Sequence, residues 1–238
     1  MSFSDGIRSA YTMHVALTEI LQCPACGGGL VLLASDTRGG RALAGSLGCP
    51  GCSRTYPVAD GIADLRDEGG GATLSPQGAE DPSARGTDEA SADEALRLAA
   101  LLGLDAATEG VVVLVAPRDR EAIGLSELLP SLEIVVAAAD GANPRAAAEG
   151  VSSLLTGARL PLADGRTAAL ATDAAAHVDP ADAVRVVAPG GRIVVTGADD
   201  GVAAGLVTAG CEIIASEGGV IVAQRTGAPA PPKLYQLG

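Results

Sequence analysis

Aromatic residues are nearly absent from this chain of 238 residues: one Phe, three Tyr and no Trp, 2% in all. Any core must be built from Val, Leu, Ile and Ala, and the stacking platforms on which single-stranded nucleic acids lie are scarce. Cationic excess is missing too. With 16 Lys and Arg against 29 Asp and Glu the net charge is −13, the opposite of the clustered positive charge that releases counterions from a phosphate backbone. No direct nucleic-acid grip is expected. The third absence is a long apolar run, since no stretch approaches the roughly 18 residues of a membrane span. The N-terminus also lacks the basic start, apolar run and small-residue cleavage site of a signal peptide. The expectation is a cytoplasmic protein without membrane association. What is present is 47% hydrophobic content, enough for one large domain or two small ones.

The strongest local signal is a pair of Cys-x-x-Cys knuckles, Cys23-Pro-Ala-Cys26 and Cys49-Pro-Gly-Cys52, separated by 22 residues. Two residues between thiolates allow a tight turn that points both sulfurs at one tetrahedral ion, and Gly27 and Gly51 can supply the backbone freedom such a turn needs. Segments 30–33 and 43–47 read as strands that carry the second knuckle onto the first. Four protein ligands leave no open coordination position, so a zinc ion here is structural. The competing reading is a pair of disulfides or redox-active dithiols. Ahead of the knuckles, Met13, Leu17, Ile20 and Leu21 follow helical spacing. His14, within that piece, reads as a structural or surface residue.

Residues 67–92 are rich in Gly, Ser, Pro and acidic residues and read as a flexible linker, or as a segment that folds on a partner. Ser91-Ala-Asp-Glu94 is a capping-box sequence opening an apolar helical stripe that stops near Gly103. Strands and helices then alternate. Strands are expected at 111–116, 132–137, 151–155, 167–172 and 193–196. Helices are expected at 120–129, briefly near Arg145, and at 180–187 and 199–209. Short apolar runs between helices indicate a parallel sheet covered on both faces. Segments 211–215 and 219–223 form a closing hairpin, and 227–238 reads as a tail.

Two resemblances follow. Leu17-Thr-Glu-Ile-Leu-Gln-Cys-Pro-Ala-Cys26 and Arg54-Thr-Tyr-Pro-Val-Ala-Asp-Gly-Ile-Ala-Asp-Leu65 resemble the opening and closing motifs of the small zinc-ribbon family whose eukaryotic members activate tRNA and protein methyltransferases. That likeness covers residues 14–66 and implies a protein partner, with a catalytic methyltransferase as the class. Further on, Leu160-Pro-Leu-Ala-Asp-Gly165, Val187-Ala-Pro-Gly-Gly-Arg-Ile-Val-Val195 and the hairpin from Ala209 to Ala223 resemble, in order and spacing, the class I S-adenosylmethionine-dependent methyltransferases. That likeness covers residues 93–226. The expected organisation is α/β: a four-cysteine zinc ribbon (1–66), a linker (67–92), a Rossmann-like seven-stranded methyltransferase-type sheet with a C-terminal antiparallel hairpin (93–226), and a tail (227–238).

The methyltransferase resemblance implies an acidic residue in the first strand and glycines in the loop after it, where the cofactor's amino-acid end sits. Here Leu114 stands at the acidic position, and Ala116, Arg118 and Arg120 stand at the glycine positions. Asp119 replaces the lost charge only by turning inward. Asp140 matches the acidic residue that holds the ribose, although an Asp-Gly turn accounts for it more simply. The adenine contact is missing around residues 157–159. His177 would need a substrate pocket to act as a base, Cys211 reads as a small buried hydrophobe, and Arg118 with Arg120 could meet an anion at the helix start. No catalytic constellation emerges. The expectation is a non-catalytic binding or scaffolding protein with a degenerate methyltransferase-like domain. The alternative is an active S-adenosylmethionine-dependent methyltransferase that uses Asp119 and Asp140 in an atypical loop.

Overall fold

The computed structural model describes residues 13–66, 88–115, 117–138 and 148–227, without the side chains of 88–91. The chain opens with β1 (Met13–His14) and a 3-10 turn (Val15–Glu19), then β2 (Val31–Arg38), β3 (Arg41–Gly48), β4 (Thr55–Ala59) and β5 (Ile62–Leu65). The α/β half follows as α1 (Asp88–Leu102), β6 (Gly110–Val115), α2 (Asp119–Leu128), β7 (Leu132–Ala138) and β8 (Val151–Thr156), then β9 (Thr167–Asp173), α3 (Pro180–Val186) and β10 (Val187–Thr196). It closes with α4 (Asp200–Thr208), β11 (Cys211–Glu217) and β12 (Val220–Arg225).

The apolar runs do what their composition demands. In β6, Val112 and Leu114 face α1 and α2, while Val113 and Val115 face the other side, with α3 and α4. Successive strand residues point to opposite faces, so a strand covered on both faces must be apolar throughout. The sheet order in this half is β8-β7-β6-β9-β10-β12-β11. Strands β8 to β10 are parallel, and β12 and β11 form an antiparallel hairpin on β10. This is the doubly wound arrangement, whose order reverses between β6 and β9. The mostly parallel seven-stranded sheet with its terminal hairpin agrees with the expectation.

The same sheet continues into the ribbon. Strand β5 pairs in parallel with β8, matching Ile62 to Ser153 and Leu65 to Thr156, and β4, β3 and β2 follow antiparallel. Met13, Leu17, Leu47, Tyr56 and Leu65 belong to one buried cluster with Leu154, Leu162, Val113 and Leu206. Polar contacts reinforce the junction. Arg41 reaches Glu133 at 2.9 Å and the Val151 carbonyl at 3.0 Å, and the Ser152 hydroxyl donates to Glu133. The Leu160–Gly165 loop closes it, with Gln22 N–H donating to Pro161 O and Ala163 N–H to Ile20 O.

Several local expectations shift. The apolar set Met13, Leu17, Ile20 and Leu21 is buried, but it lies on a two-residue strand and a 3-10 turn instead of an α-helix. Pairing of Met13 with Ala42 and a bond from Met13 N–H to Gly61 O claim the backbone groups a helix would use. Helix α1 begins at Asp88, so Ser91 lies inside it. Strand β10 starts at Val187, six residues early, and its register shifts between Val187 and Arg192. The Pro189-Gly190-Gly191 turn sits in that irregularity. Gly190 has φ +82, and a Cβ on Gly191 would stand 2.3 Å from the Ala168 carbonyl oxygen, so a side chain cannot fit there. The helix expected near Arg145 falls outside the described residues.

Candidate metal centre and cofactor crevice

Each knuckle closes on itself before the two meet. Gly27 N–H donates to Cys23 O and Cys23 N–H to Gly28 O; Ser53 N–H donates to Cys49 O and Cys49 N–H to Arg54 O. The four sulfurs lie within 4.8 Å of one another. Cys23 and Cys52 sulfurs are 3.6 Å apart, and those of Cys26 and Cys49 3.4 Å apart. A tetrahedral zinc with Zn–S near 2.3 Å sets sulfurs about 3.8 Å apart, so the cage has the size the ion needs. The four cysteines are positioned to bind a metal ion, and they are free thiols, not the disulfides of the competing reading. Cys23 and Cys49 are buried, while Cys26 and Cys52 are exposed.

The thiols are primed unequally. Burial works against ionising Cys23, but the Tyr56 hydroxyl at 3.2 Å and the N–H groups of Cys26 and Ala25 outweigh it and bring the thiol down to about 6. The Gly28 N–H favours the Cys26 thiolate, yet the neighbouring Cys49 and Cys52 sulfurs push it up to about 12. The Cys23 thiolate forms readily, while Cys26 and Cys52 resist until a cation joins them, which is the behaviour of a metal cage. Tyr56 appeared only as part of a motif, and its burial behind Cys23 gives it a role the spacing did not disclose. The backbone freedom assigned to Gly51 belongs elsewhere: the left-handed positions are Gly27 (φ 72) and Ser53 (φ 61).

At the carboxyl ends of β6, β9 and β10, where an open α/β sheet holds its ligand, stands Arg118. It is 8% exposed. Its guanidinium donates to the Thr196 hydroxyl at 2.7 Å, the Thr172 carbonyl at 3.2 Å and Glu121 at 3.1 Å. Its Nε is buried without a hydrogen-bond partner among the described residues. Asp173 completes the cluster: the Ala175 N–H, then the Thr196 hydroxyl, and more weakly Arg118, hold its carboxyl below the usual range. Leu114, at the position implied to be acidic, is fully buried in the core.

Asp119 is the first residue of α2 and half-buried, beside Arg118, while Arg120 is exposed. Asp140 and Ala116 lie outside the described residues, so Asp119 and Asp140 are not seen together. His14 caps the 3-10 turn, its Nδ1 accepting from Ala16 N–H at 3.2 Å. Cys211 is buried, as expected of a small hydrophobe. His177 lines a cavity of about 410 Å³ against α3, α4, β9 and β10.

Against known proteins, the family described as Trm112p-like protein matches residues 14–61. No curated protein sequence matches the chain. Among solved structures, the antibiotic-resistance methyltransferase Kmr is similar at 16% identity and a TM-score of 0.41, over 56% of this chain and 93% of that one. A putative S-adenosyl-L-methionine-dependent methyltransferase from Methanococcus maripaludis is similar at 13% identity and 0.38, over 58% and 85%. A probable spermidine synthase from Corynebacterium glutamicum is similar at 14% identity and 0.36, over 82% and 76%. No helix among the described residues is long and apolar enough to cross a membrane. The stretch that carries the four cysteines is a Trm112p-like zinc ribbon domain, joined through one sheet to the α/β half.

Proposed function

We propose that this chain is a non-catalytic binding or scaffolding protein, in which a structural zinc ribbon (1–66) is fused to a methyltransferase-like domain (93–226) that no longer uses S-adenosylmethionine. The observation that carries this reading is the Arg118 side chain. A guanidinium bonded to Thr172, Thr196 and Glu121 places a fixed positive charge where a sulfonium cofactor would need room and negative potential. Leu114 in place of a carboxylate supports the same view. In this reading Asp119 serves the start of α2 and Asp140 is not a cofactor contact.

The test is calorimetric titration of the purified, zinc-loaded protein with S-adenosylmethionine. No binding heat is expected. Micromolar binding would make the protein an S-adenosylmethionine-dependent methyltransferase with an atypical loop, with Asp119 and Asp140 as the cofactor contacts to mutate first.

On this reading the partner is a protein, and the ribbon's family suggests a catalytic methyltransferase as its class. The β5 edge of the ribbon is already paired with β8 in the same chain, so such a partner docks elsewhere. A cytoplasmic location accords with cysteines grouped for a metal and not paired as disulfides. An affinity pull-down that returns no methyltransferase would remove that class of partner.

A further inference from the structure

Among the described residues, the buried cluster that joins the ribbon to the sheet holds a single aromatic ring, that of Tyr56. It is 2% exposed. Leu, Val and Ala fill most of that cluster, so volume alone does not call for a tyrosine, and a phenolic hydroxyl taken out of water costs free energy unless it finds a partner. The partner is the Cys23 sulfur, 3.2 Å away. This contact crosses between the knuckles. Tyr56 stands on β4, just after the second knuckle, where pairing with Leu47 of β3 fixes its register and turns its side chain inward. Cys23 opens the first knuckle.

The sense of the hydrogen bond follows from its surroundings. A metal-bound Cys23 is a thiolate with no proton to give. The exposed Arg54 side chain also bonds the Tyr56 hydroxyl, and a guanidinium only donates. Arg54 therefore takes a lone pair of the phenolic oxygen, and the phenolic proton is left for Cys23. Four thiolates around a divalent ion carry an excess of negative charge, which donors to sulfur offset. Those donors are unequally shared. Cys23 receives the Ala25 and Cys26 N–H groups besides Tyr56, while Cys26 receives the Gly28 N–H and Cys52 the Arg54 N–H.

We propose that Tyr56 is a positioning residue of the metal centre: its hydroxyl, oriented by Arg54, donates to the Cys23 thiolate, ties the first knuckle to the second and tightens the hold on the ion. The inference rests on the four-cysteine cage alone and stands whether or not S-adenosylmethionine binds the α/β half.

The experiment uses Tyr56→Phe in the full-length chain, which keeps the ring and removes only the hydroxyl. Two quantities are read: zinc affinity in competition with a chelator, and the sulfur-to-metal charge-transfer band of the cobalt(II)-loaded protein. Zinc affinity should fall about tenfold, as loss of a partner to a ligating group does. The cobalt band should move to lower energy, because a thiolate that loses a hydrogen bond gives up its electrons more easily. Arg54→Ala, at an exposed position, leaves the hydroxyl in place and should move the band the same way by less. An affinity loss with an unmoved band would assign Tyr56 to packing and overturn the proposal, as would no change in either quantity. If Tyr56→Phe does not fold, the Arg54→Ala spectrum decides, and an unmoved band there overturns the assignment. A parent protein that takes up neither zinc nor cobalt overturns it together with the cage, whatever S-adenosylmethionine does.

Discussion

The ribbon and the crevice began from equally readable motifs and ended differently. In the ribbon every chemical group survives: four sulfurs within 4.8 Å, closed by two matched turns and supported by Tyr56. In the crevice the doubly wound strand order and the closing hairpin are present, and near the strand ends stand an aliphatic side chain, Leu114, and a buried cation, Arg118. A metal cage is both the site and the fold of a small ribbon, because so few residues cannot bury a sufficient core without it. A Rossmann-type sheet has a core of its own. On the proposed reading it has lost its ligand chemistry and kept its shape, which requires that something neutralise the polar ends of its strands. Arg118 fills that role here.

Removing the metal tests the first half of the contrast and carries the largest effect. Cys23→Ser should lower zinc from one ion per chain to none by elemental analysis, at a loss on the order of 10 kcal/mol of apparent stability. Because β5 continues the sheet at β8, thermal unfolding should shift for the whole chain in one transition. An unmoved transition in the α/β half would mean that the two regions are energetically independent. Arg118→Ala tests the second half. It leaves Glu121, Asp173 and the Thr172 carbonyl without their cation, and should cost about 3 kcal/mol in urea unfolding, as breaking a buried ion pair from one side does. A loss below 1 kcal/mol, or a gain, would show that the guanidinium is not what satisfies those strand ends.

The two regions also differ in how far they could be read ahead of the structure. The cage was legible because spacing within each knuckle is local, and the strands were legible because each apolar run is covered on both faces. Arg118 was not. Its partners Thr172 and Thr196 lie 54 and 78 positions away, and an Arg beside Asp119 and Glu121 looks like a solvated helix start. The junction was equally hidden: Ile62-Ala-Asp-Leu65 reads as the end of a ribbon, and nothing local announces Val151-Ser-Ser-Leu-Leu-Thr156 as its neighbour. The segment around Leu17 shows the converse case, where the buried positions were right and the element wrong because β3 and Gly61 supplied hydrogen bonds that the period could not foresee.

The junction offers a middle-sized effect. Arg41→Ala removes two bonds to Glu133, at 2.9 and 3.2 Å, and leaves that carboxylate and Ser152 underserved, for about 2 kcal/mol by urea unfolding. No change in unfolding midpoint would mean that apolar packing alone joins the halves. Smaller still is the acid sensitivity of the crevice. Asp173 has a lowered native pKa, so its stabilisation is present above the ordinary carboxylate value of about 4 and is lost as pH falls through the native one. Thr196→Val removes the second of its three supports. The difference in unfolding midpoint between this variant and the parent, clear at neutral pH, should shrink under acid conditions. A difference independent of pH would assign Thr196 to packing instead.

The smallest effect separates the two knuckles themselves. They share the same hydrogen-bond pattern, yet the residue after the second cysteine is Gly27 in one and Ser53 in the other, both with positive φ. A side chain in the left-handed region costs about 1–2 kcal/mol, while glycine's extra freedom in the unfolded chain costs about 0.4–1 kcal/mol. The first term exceeds the second, and Ser53 is exposed with no packing to lose. Ser53→Gly should therefore stabilise the zinc-bound protein by about 0.5 kcal/mol, seen as a small rise in unfolding midpoint at saturating zinc. Gly27→Ala should do the reverse with similar size, because it places a Cβ on the same backbone geometry without relief elsewhere. If Ser53→Gly destabilises, the hydroxyl is making a contribution at the second knuckle that the first knuckle manages without, and the two turns are not equivalent supports of the metal.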